Sequence, residues 1–314
     1  MSGMNLREVD RFEVTTLADN YSDLLLLEGT EVVRRPQVAP PEYLLAEHGF
    51  SCLLKVRAGS EEHVVLMDAG ISPTSLFHNA GVLKVDLGGV ESVFLSHGHF
   101  DHFGGLTRFL KGLGRRIPIH LHPEAFLRRR LNIPITGHVV DMPQLDEKGL
   151  EEAGAAVHKV REPSTIASGL ILVSGEVERV TEFERGFPWA EAKIGDRWVI
   201  DPFHDDQGVA VNVKGKGLVV VGGCSHAGII NTVRHLQRAA GVDRIHAVLG
   251  GFHLTGPLFE PIIGPTIEEM ERLSPDFVVP MHCTGWKAIN RFAAEMPEQF
   301  VLNSVGSTYI FQSA

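Results

Sequence analysis

Short apolar runs, each ending in a loop of Gly, Asp and His, recur along most of this chain. Ser51–Val56 and Val64–Met67 alternate as paired strands, and the second delivers Asp68-Ala69-Gly70. Ser92–Leu95 has the continuous apolar character of a buried strand and delivers a histidine cluster. Ile117–Leu121 follows, and Pro123 is placed to open a helix continuing through Ala125–Arg130. Further strands are expected at Leu24–Leu27, Leu170–Val173, Trp198–Ile200, Val209–Val213, Leu218–Val221, Ala247–Leu249 and Phe277–Pro280. Lys214-Gly-Lys-Gly217 joins two of them as a hairpin.

Two segments carry helical patterns. Gly228–Ala240 places Ile229, Ile230, Val233 and Leu236 on one face, and Thr266-Ile-Glu-Glu269 has the form of a capping box opening a helix to Leu273. Glu31–Glu47, with Pro36, Pro40 and Pro41, reads as an irregular loop. Strands interleaved with helices indicate an α/β protein, and hairpins among the strands exclude a purely parallel sheet. Two mixed sheets flanked by helices satisfy both, in one domain spanning residues 1–314.

Composition narrows the partners. A net charge of −10 without a basic block argues against nucleic acid, since phosphate neutralisation supplies most of such affinity. No apolar run approaches the roughly 18 residues of a membrane span, and Met1–Asp10 lacks an apolar leader-like stretch, so a cytoplasmic, membrane-free protein is expected. Cys52, Cys224 and Cys283 are odd in number and far apart, which disfavours a disulfide framework.

The chemistry concentrates in Ser96-His-Gly-His-Phe-Asp-His102. In an extended segment His97 and His99 project to the same side and can share one metal ion. Asp101 and His102 point elsewhere and can hold a second, while Gly98 and Gly104-Gly105 allow the backbone to turn sharply. Imidazole with some carboxylate suits Zn2+, and a metal pair can lower the pKa of a shared water towards neutrality, giving a hydroxide nucleophile.

This pattern resembles the metallo-β-lactamase superfamily, whose signature is His-x-His-x-Asp-His. The resemblance implies an αββα sandwich with two divalent ions, zinc first and Mn2+ or Fe2+ as alternatives. Asp68 matches the superfamily's first motif, a carboxylate supporting the metal loop, and His282 matches its C-terminal ligand. The middle ligands depart from the pattern. Cys224 stands where a bridging aspartate is usual, with His226 two residues on. His226 is expected as a ligand, whereas Cys224 could be a ligand or a buried thiol. His204, Asp205 and Asp206 could be ligands, supports of ligands, or a solvated acidic turn.

A narrower resemblance lies in Asp19-Asn20, Ala46-Glu-His-Gly-Phe-Ser51, Gly222-Gly-Cys-Ser-His-Ala-Gly228, Leu249-Gly-Gly-Phe-His-Leu254 and Pro280-Met-His-Cys-Thr-Gly285. These segments are similar to the branch named for 7,8-dihydropterin-6-yl-methyl-4-(β-D-ribofuranosyl)aminobenzene-5′-phosphate synthase. That implies a phosphorylated or pyrophosphorylated small-molecule substrate. Ser225–Gly228, at a helix start, is expected to offer free N–H groups to an anion. Lys287 and an arginine of the 128–130 run are further anion contacts by position. His48 and His253 could contact substrate or be satisfied by backbone. Phe252, Phe259 and Trp286 could wall a ring or simply pack.

The reading is a two-metal hydrolase of phosphomonoesters or phosphodiesters, with Asp101 and His226 in the catalytic centre. The alternatives are the pterin-transferring synthase, which releases pyrophosphate, a lactone or thioester hydrolase, and a non-catalytic metal-bound binding protein.

Overall fold

A computed structural model describes residues 4–313. Two large mixed sheets stack face to face. One orders its strands Ser164–Ile166, Ile171–Val173, Gly208–Val213, Gly217–Gly222, Ile245–Gly251 and Phe277–Met281, with Glu8–Val9 pairing alongside Gly208–Val213. The other runs Ala155–Lys159, Ile117–Leu121, Ser92–Phe94, Glu61–Met67, Ser51–Ala58, Arg11–Ala18, Thr308–Gln312, Val33–Arg34.

Period-two alternation explains the stacking. Val209, Val211, Val219 and Val221 meet Phe12, Val14, Leu54 and Met67 of the opposite sheet, whereas Ala210, Leu218 and Val220 face outward to helices. Strands buried on both faces therefore read as continuous apolar runs. Each such Val or Leu contributes roughly 1.5–3 kcal/mol of burial. Helices Ile229–Ala240, Ile263–Leu273 and Trp286–Glu295 cover one sheet, and Pro73–Leu83, Leu106–Leu113 and Glu147–Glu152 the other. The result is the αββα order of layers.

A third sheet is smaller and wholly antiparallel: Arg197–Ile200, Ala190–Ile194, Arg129–Ile133, His138–Asp141. Here the expected helix through Ala125–Arg130 fails. Only a 3-10 turn, Pro123–Phe126, forms, and Arg129 and Arg130 enter a strand. Pro134 favours an extended Ile133, and pairing on both sides puts Arg129 inside and Arg130 outside.

Two other expectations need correction. Leu24–Leu27 is not a strand: Asp23 Oδ1 accepts the Leu25 N–H at 2.8 Å, a local bond that replaces a ladder bond, and Leu25 is 87% exposed. Thr266 is not a cap either. The helix already begins at Ile263, with Pro265 tolerated in its first turn, and Thr266 Oγ1 donates back to Ile262 O at 2.8 Å. The remaining expected strands and the Ile229–Ala240 helix lie within two or three residues of their expected bounds. Among the described residues, no helix is long and apolar enough to cross a membrane.

Candidate metal centre

Parallel strands of both sheets end at one edge, where Met67 leads to Asp68, Phe94 to Ser96-His97, Gly222 to Cys224, Gly251 to His253, and Met281 to His282. Carboxyl ends of strands are where α/β folds collect chemistry, because the loops there are free to carry it. Three overlapping groups of donor atoms result, the third being Cys224, His226 and His253. His97, His99 and His226 offer atoms lying within 4.8 Å of one another, and so do Asp101, His102, Cys224 and His282. Cys224, with its sulfur 3.2 Å from His102 Nε2, sits at the seam of these two groups.

The donor set was tested against what a divalent ion requires. His97 Nε2, His99 Nε2 and His282 Nε2 are buried without any hydrogen-bond partner. Three such nitrogens at one place are costly unless a ligand takes their lone pairs. Burial pushes the pKa of His97 and His226 well down and that of His99 to about 3, so all three imidazoles are neutral, as metal ligands must be. His226 Nε2 lies 3.1 Å from His99 Nδ1, which brings His226 into one cluster with His97 and His99. On the other side, burial alone would raise Asp101. The charges of His102 and His282 outweigh it and hold the carboxyl far below its usual range. Burial opposes a proton on His282, yet Cys283 and Asp101 raise it to about 9, a positive charge that a divalent ion would replace. The residues fit divalent metal ions.

The supporting bonds fix which nitrogen faces the centre. Asp68, itself at φ 58°, accepts the His102 Nδ1–H at 2.6 Å and the Ser96 N–H and Oγ–H at 2.7 Å each. His102 Nε2 is thereby turned inward. Asp205 accepts the Gly98 N–H at 2.9 Å and Arg129 at 2.7 Å, and Arg129 also holds Asp201 at 2.6 Å. Gly98 is required here, since a Cβ would lie 2.0 Å from Ala125 O. His282, at φ 48°, donates its N–H to Asp19 at 2.7 Å. Its Nδ1 meets Asn20 Oδ1 at 3.2 Å, and Asn20 Nδ2 donates to His282 O at 3.1 Å.

The remaining expected residues separate by place. His226 stacks on Phe203 (4.3 Å, 15°) and borders a cavity of about 210 Å³ together with His253, Ser225, Arg185, Phe252 and Phe259. Ser225 Oγ and His253 Nδ1 have no partner. His48 is exposed at the rim, its Nε2 3.6 Å from Asp101 and its Nδ1 3.2 Å from Asn20. Asp206 is buried and accepts the Ala227 N–H at 2.9 Å, and burial lifts its carboxyl to about 7.

The other residues singled out by sequence have partners away from the donor atoms. His204 is not at the centre; its side chain is exposed and bonds Glu124 at 3.1 Å. Asp205 and Asp206, open as ligands, supports or a solvated turn, lie outside the donor groups and take the supporting place, accepting the Gly98 and Ala227 N–H groups. Lys287 pairs with Glu260 at 2.7 Å in a surface depression beside Trp286, which is 71% exposed; neither lines the cavity. The helix start at Ser225–Gly228 is not free for an anion. Glu184 already accepts the Ile230 and Asn231 N–H groups at 2.9 Å each. Nothing in the sequence around Glu184 signals that role, whereas Asn20 lay in a segment already noted.

The metallo-beta-lactamase superfamily pattern matches residues 51–282. Over 300 residues the chain is 30% identical to the 7,8-dihydropterin-6-methyl-4-(β-D-ribofuranosyl)-aminobenzene-5′-phosphate synthase of Methanocaldococcus jannaschii, covering 95% of this chain and 96% of that one. An uncharacterised protein of the same organism is 32% identical over 262 residues, covering 83% and 92%. Among solved structures, Tm1679, a metal-dependent hydrolase of the β-lactamase superfamily, superposes with a TM-score of 0.71 at 25% identity, covering 95% and 98%.

Proposed function

The chain belongs to the metallo-β-lactamase superfamily, and we propose that it is a two-metal hydrolase of small phosphate esters whose ring-bearing end seats beside His226. The observation that carries this reading is the clustering of buried, unpartnered imidazole nitrogens beside the group of Asp101, His102, Cys224 and His282. His97, His99 and His226 would hold one ion, and Asp101, His102 and His282, with Cys224 between, the other. Bound divalent ions supply Lewis-acid polarisation of a phosphoryl oxygen and acidify a water towards neutral pH.

The chain's own groups do the rest. Asp68 and Asn20 keep the ligand nitrogens of His102 and His282 pointed inward. Asp101 Oδ2 faces His48 Nε2 at 3.6 Å, on the solvent side of the centre. The cavity supplies aromatic walls for a ring, and Arg185 at its lining supplies a positive charge. In hydrolysis the P–O ester bond breaks, water adds its oxygen to phosphorus, and a proton goes to the leaving alcohol.

A second reading is favoured by the relative at 30% identity over 95% of the chain. It is transfer of a pterin group to an arylamine ribotide with release of pyrophosphate. One experiment separates the two. Zinc-reconstituted protein is given bis-p-nitrophenyl phosphate and p-nitrophenyl phosphate, and separately a pterin pyrophosphate with and without the arylamine ribotide. Chelator-sensitive ester cleavage needing no acceptor supports the hydrolase. Turnover only with both partners supports the synthase, and none in any arm overturns both.

A further inference from the structure

The cavity of about 210 Å³ beside His226 carries polar atoms that no group of the protein satisfies. Three buried atoms on residues lining it lack a hydrogen-bond partner among the described residues: Ser225 Oγ, His226 Nδ1 and His253 Nδ1. Ser225 and His226 are only 4% and 5% exposed. Buried polar groups left unpaired are costly, so three on neighbouring side chains call for a ligand that completes them. The other lining residues leave that task to these three. Phe252, Leu254 and Phe259 are apolar. The Glu184 carboxylate is already taken by the Ile230 and Asn231 N–H groups and the Thr181 hydroxyl. Arg185 is exposed and donates its Nε–H to Glu182 O.

Local sequence brings the three together. The turns that carry Ser225-His226 and His253 leave the ends of two neighbouring parallel strands, Gly217–Gly222 and Ile245–Gly251. Ser225 and His253 both hold positive φ, 58° and 46°, a conformation that is strained for residues other than glycine and collects at functional sites. Gly222 makes room for the hydroxyl, since a Cβ there would lie 2.6 Å from Ser225 Oγ. The His253 ring is held by contact alone at this end. Between ring centroids, His226 lies 4.3 Å away, Phe259 4.5 Å at 87° and Phe187 5.4 Å. Those contacts orient Nδ1 and leave it unused.

The bonding capacity of the three atoms defines what they fit. As a metal ligand through Nε2, neutral His226 carries its ring proton on Nδ1, a fixed donor. Such an N–H is normally given to a carboxylate, carbonyl or water, and here no protein group takes it. The Ser225 hydroxyl can donate or accept, and so can His253 Nδ1, according to its tautomer. We propose that Ser225, His226 and His253 form a hydrogen-bonding edge that selects a nitrogen heteroaromatic ring, one with a carbonyl beside a ring N–H, over an all-carbon ring. This rests on the reading that the ring-bearing end of the substrate seats in this cavity. The ring carbonyl accepts from His226 Nδ1, and the adjoining N–H is met by Ser225 or His253. At about 210 Å³ the cavity is smaller than the roughly 300–1,000 Å³ that drug-sized ligands fill, a size for one ring system. Discrimination follows because a ring without a polar edge leaves the protein's own groups unpaired.

The test compares two non-hydrolysable phosphonates that differ only in the ring, a quinazolinone-methyl phosphonate and a naphthyl-methyl phosphonate. Their binding to the full-length, zinc-reconstituted chain is measured by isothermal titration calorimetry. The wild type should bind the quinazolinone at least about tenfold tighter. Ser225→Ala and His253→Phe, made separately, should each bring the two affinities towards parity, with metal content at the wild-type value. His253→Phe keeps an aromatic wall, so its loss of preference reports the nitrogen and not the filling. Because the ratio compares two ligands on one protein, a variant that is merely less stable does not move it. Equal affinities in the wild type, or a preference that survives both variants, overturns the edge and leaves the phosphate-ester reading standing. An ion lost from His253→Phe also overturns it, by making His253 a metal ligand with Cys224 and His226. Binding of neither phosphonate overturns both.

Discussion

The loop His97–His102 and the pair His226 and His282 present donors to the same centre by opposite means. In the first, four donors lie within six residues, and extended backbone followed by a helical turn aims them without strain. Its support, Asp68 and Asp205, comes from neighbouring loop and strand ends. In the second, His226 follows Ser225 at φ 58°, and His282 itself sits at φ 48°. Non-glycine residues there cost of order 1–3 kcal/mol each and persist only when their surroundings over-determine them. For His282 those surroundings are Asp19 and Asn20, some 260 residues earlier in the chain. A contiguous motif carries its own geometry, whereas the other half of the centre exists only in the folded protein.

That contrast can be broken at its strongest point. His102→Ala removes a ligand held by Asp68, and ester cleavage in a stopped assay should fall to background while circular dichroism is unchanged. Retained turnover would show that the contiguous loop is not the reactive centre.

The supports sharpen the comparison. Asn20→Ala should cost about 10–100-fold in metal affinity by chelator competition, as losses of such supporting bonds typically do. Asn20→Asp retains an acceptor for His282 Nδ1 and should recover much of that loss. A cobalt-substituted sample should show an altered visible spectrum in the alanine variant and a near-native one in the aspartate variant. If Asn20→Ala lowers only the melting temperature, Asn20 is structural and the remote half needs no such device.

A smaller effect probes the local half. Gly98→Ala drives a Cβ to 2.0 Å from Ala125 O, and overpacking of that kind costs about 1–3 kcal/mol. Urea unfolding should register that loss, along with weaker metal retention.

The smallest effect concerns Glu184, which closes the helix start behind His226. Burial raises its carboxyl from 4.5 to about 7. Between those values the folded chain holds a proton that the unfolded chain has lost, so stability is greatest below about 4.5 and falls as pH rises to 7. The full swing is at most about 3 kcal/mol. Glu184→Gln should flatten that stretch of a melting-temperature profile; an unchanged slope would mean the carboxyl titrates normally.

Legibility in the sequence follows the same division. Doubly buried strands such as Gly208–Val213 and Gly217–Gly222 announce themselves as apolar runs, and the helix Ile229–Ala240 by its stripe. Arg11–Ala18, which alternates Arg, Glu and Thr with Phe and Val, lacks such a run although it lies inside the eight-stranded sheet. The arginine run read as a helix is a strand because Pro134 and two pairing partners decide it, and partners are not local information. The same holds at the centre. His97, His99, Asp101 and His102 are readable from spacing. The filling of the helix start by Glu184, and the diversion of His204 to Glu124, depend on contacts between segments far apart in sequence.

The central claim is that five histidines and one carboxylate form two separable metal sites, and elemental analysis tests it most directly. The zinc-reconstituted wild type, His97→Ala and His282→Ala would be dialysed identically and their metal counted per chain. The account predicts two ions in the wild type and about one in each variant. A wild type that retains none, or variants that retain as much as the wild type, would contradict it.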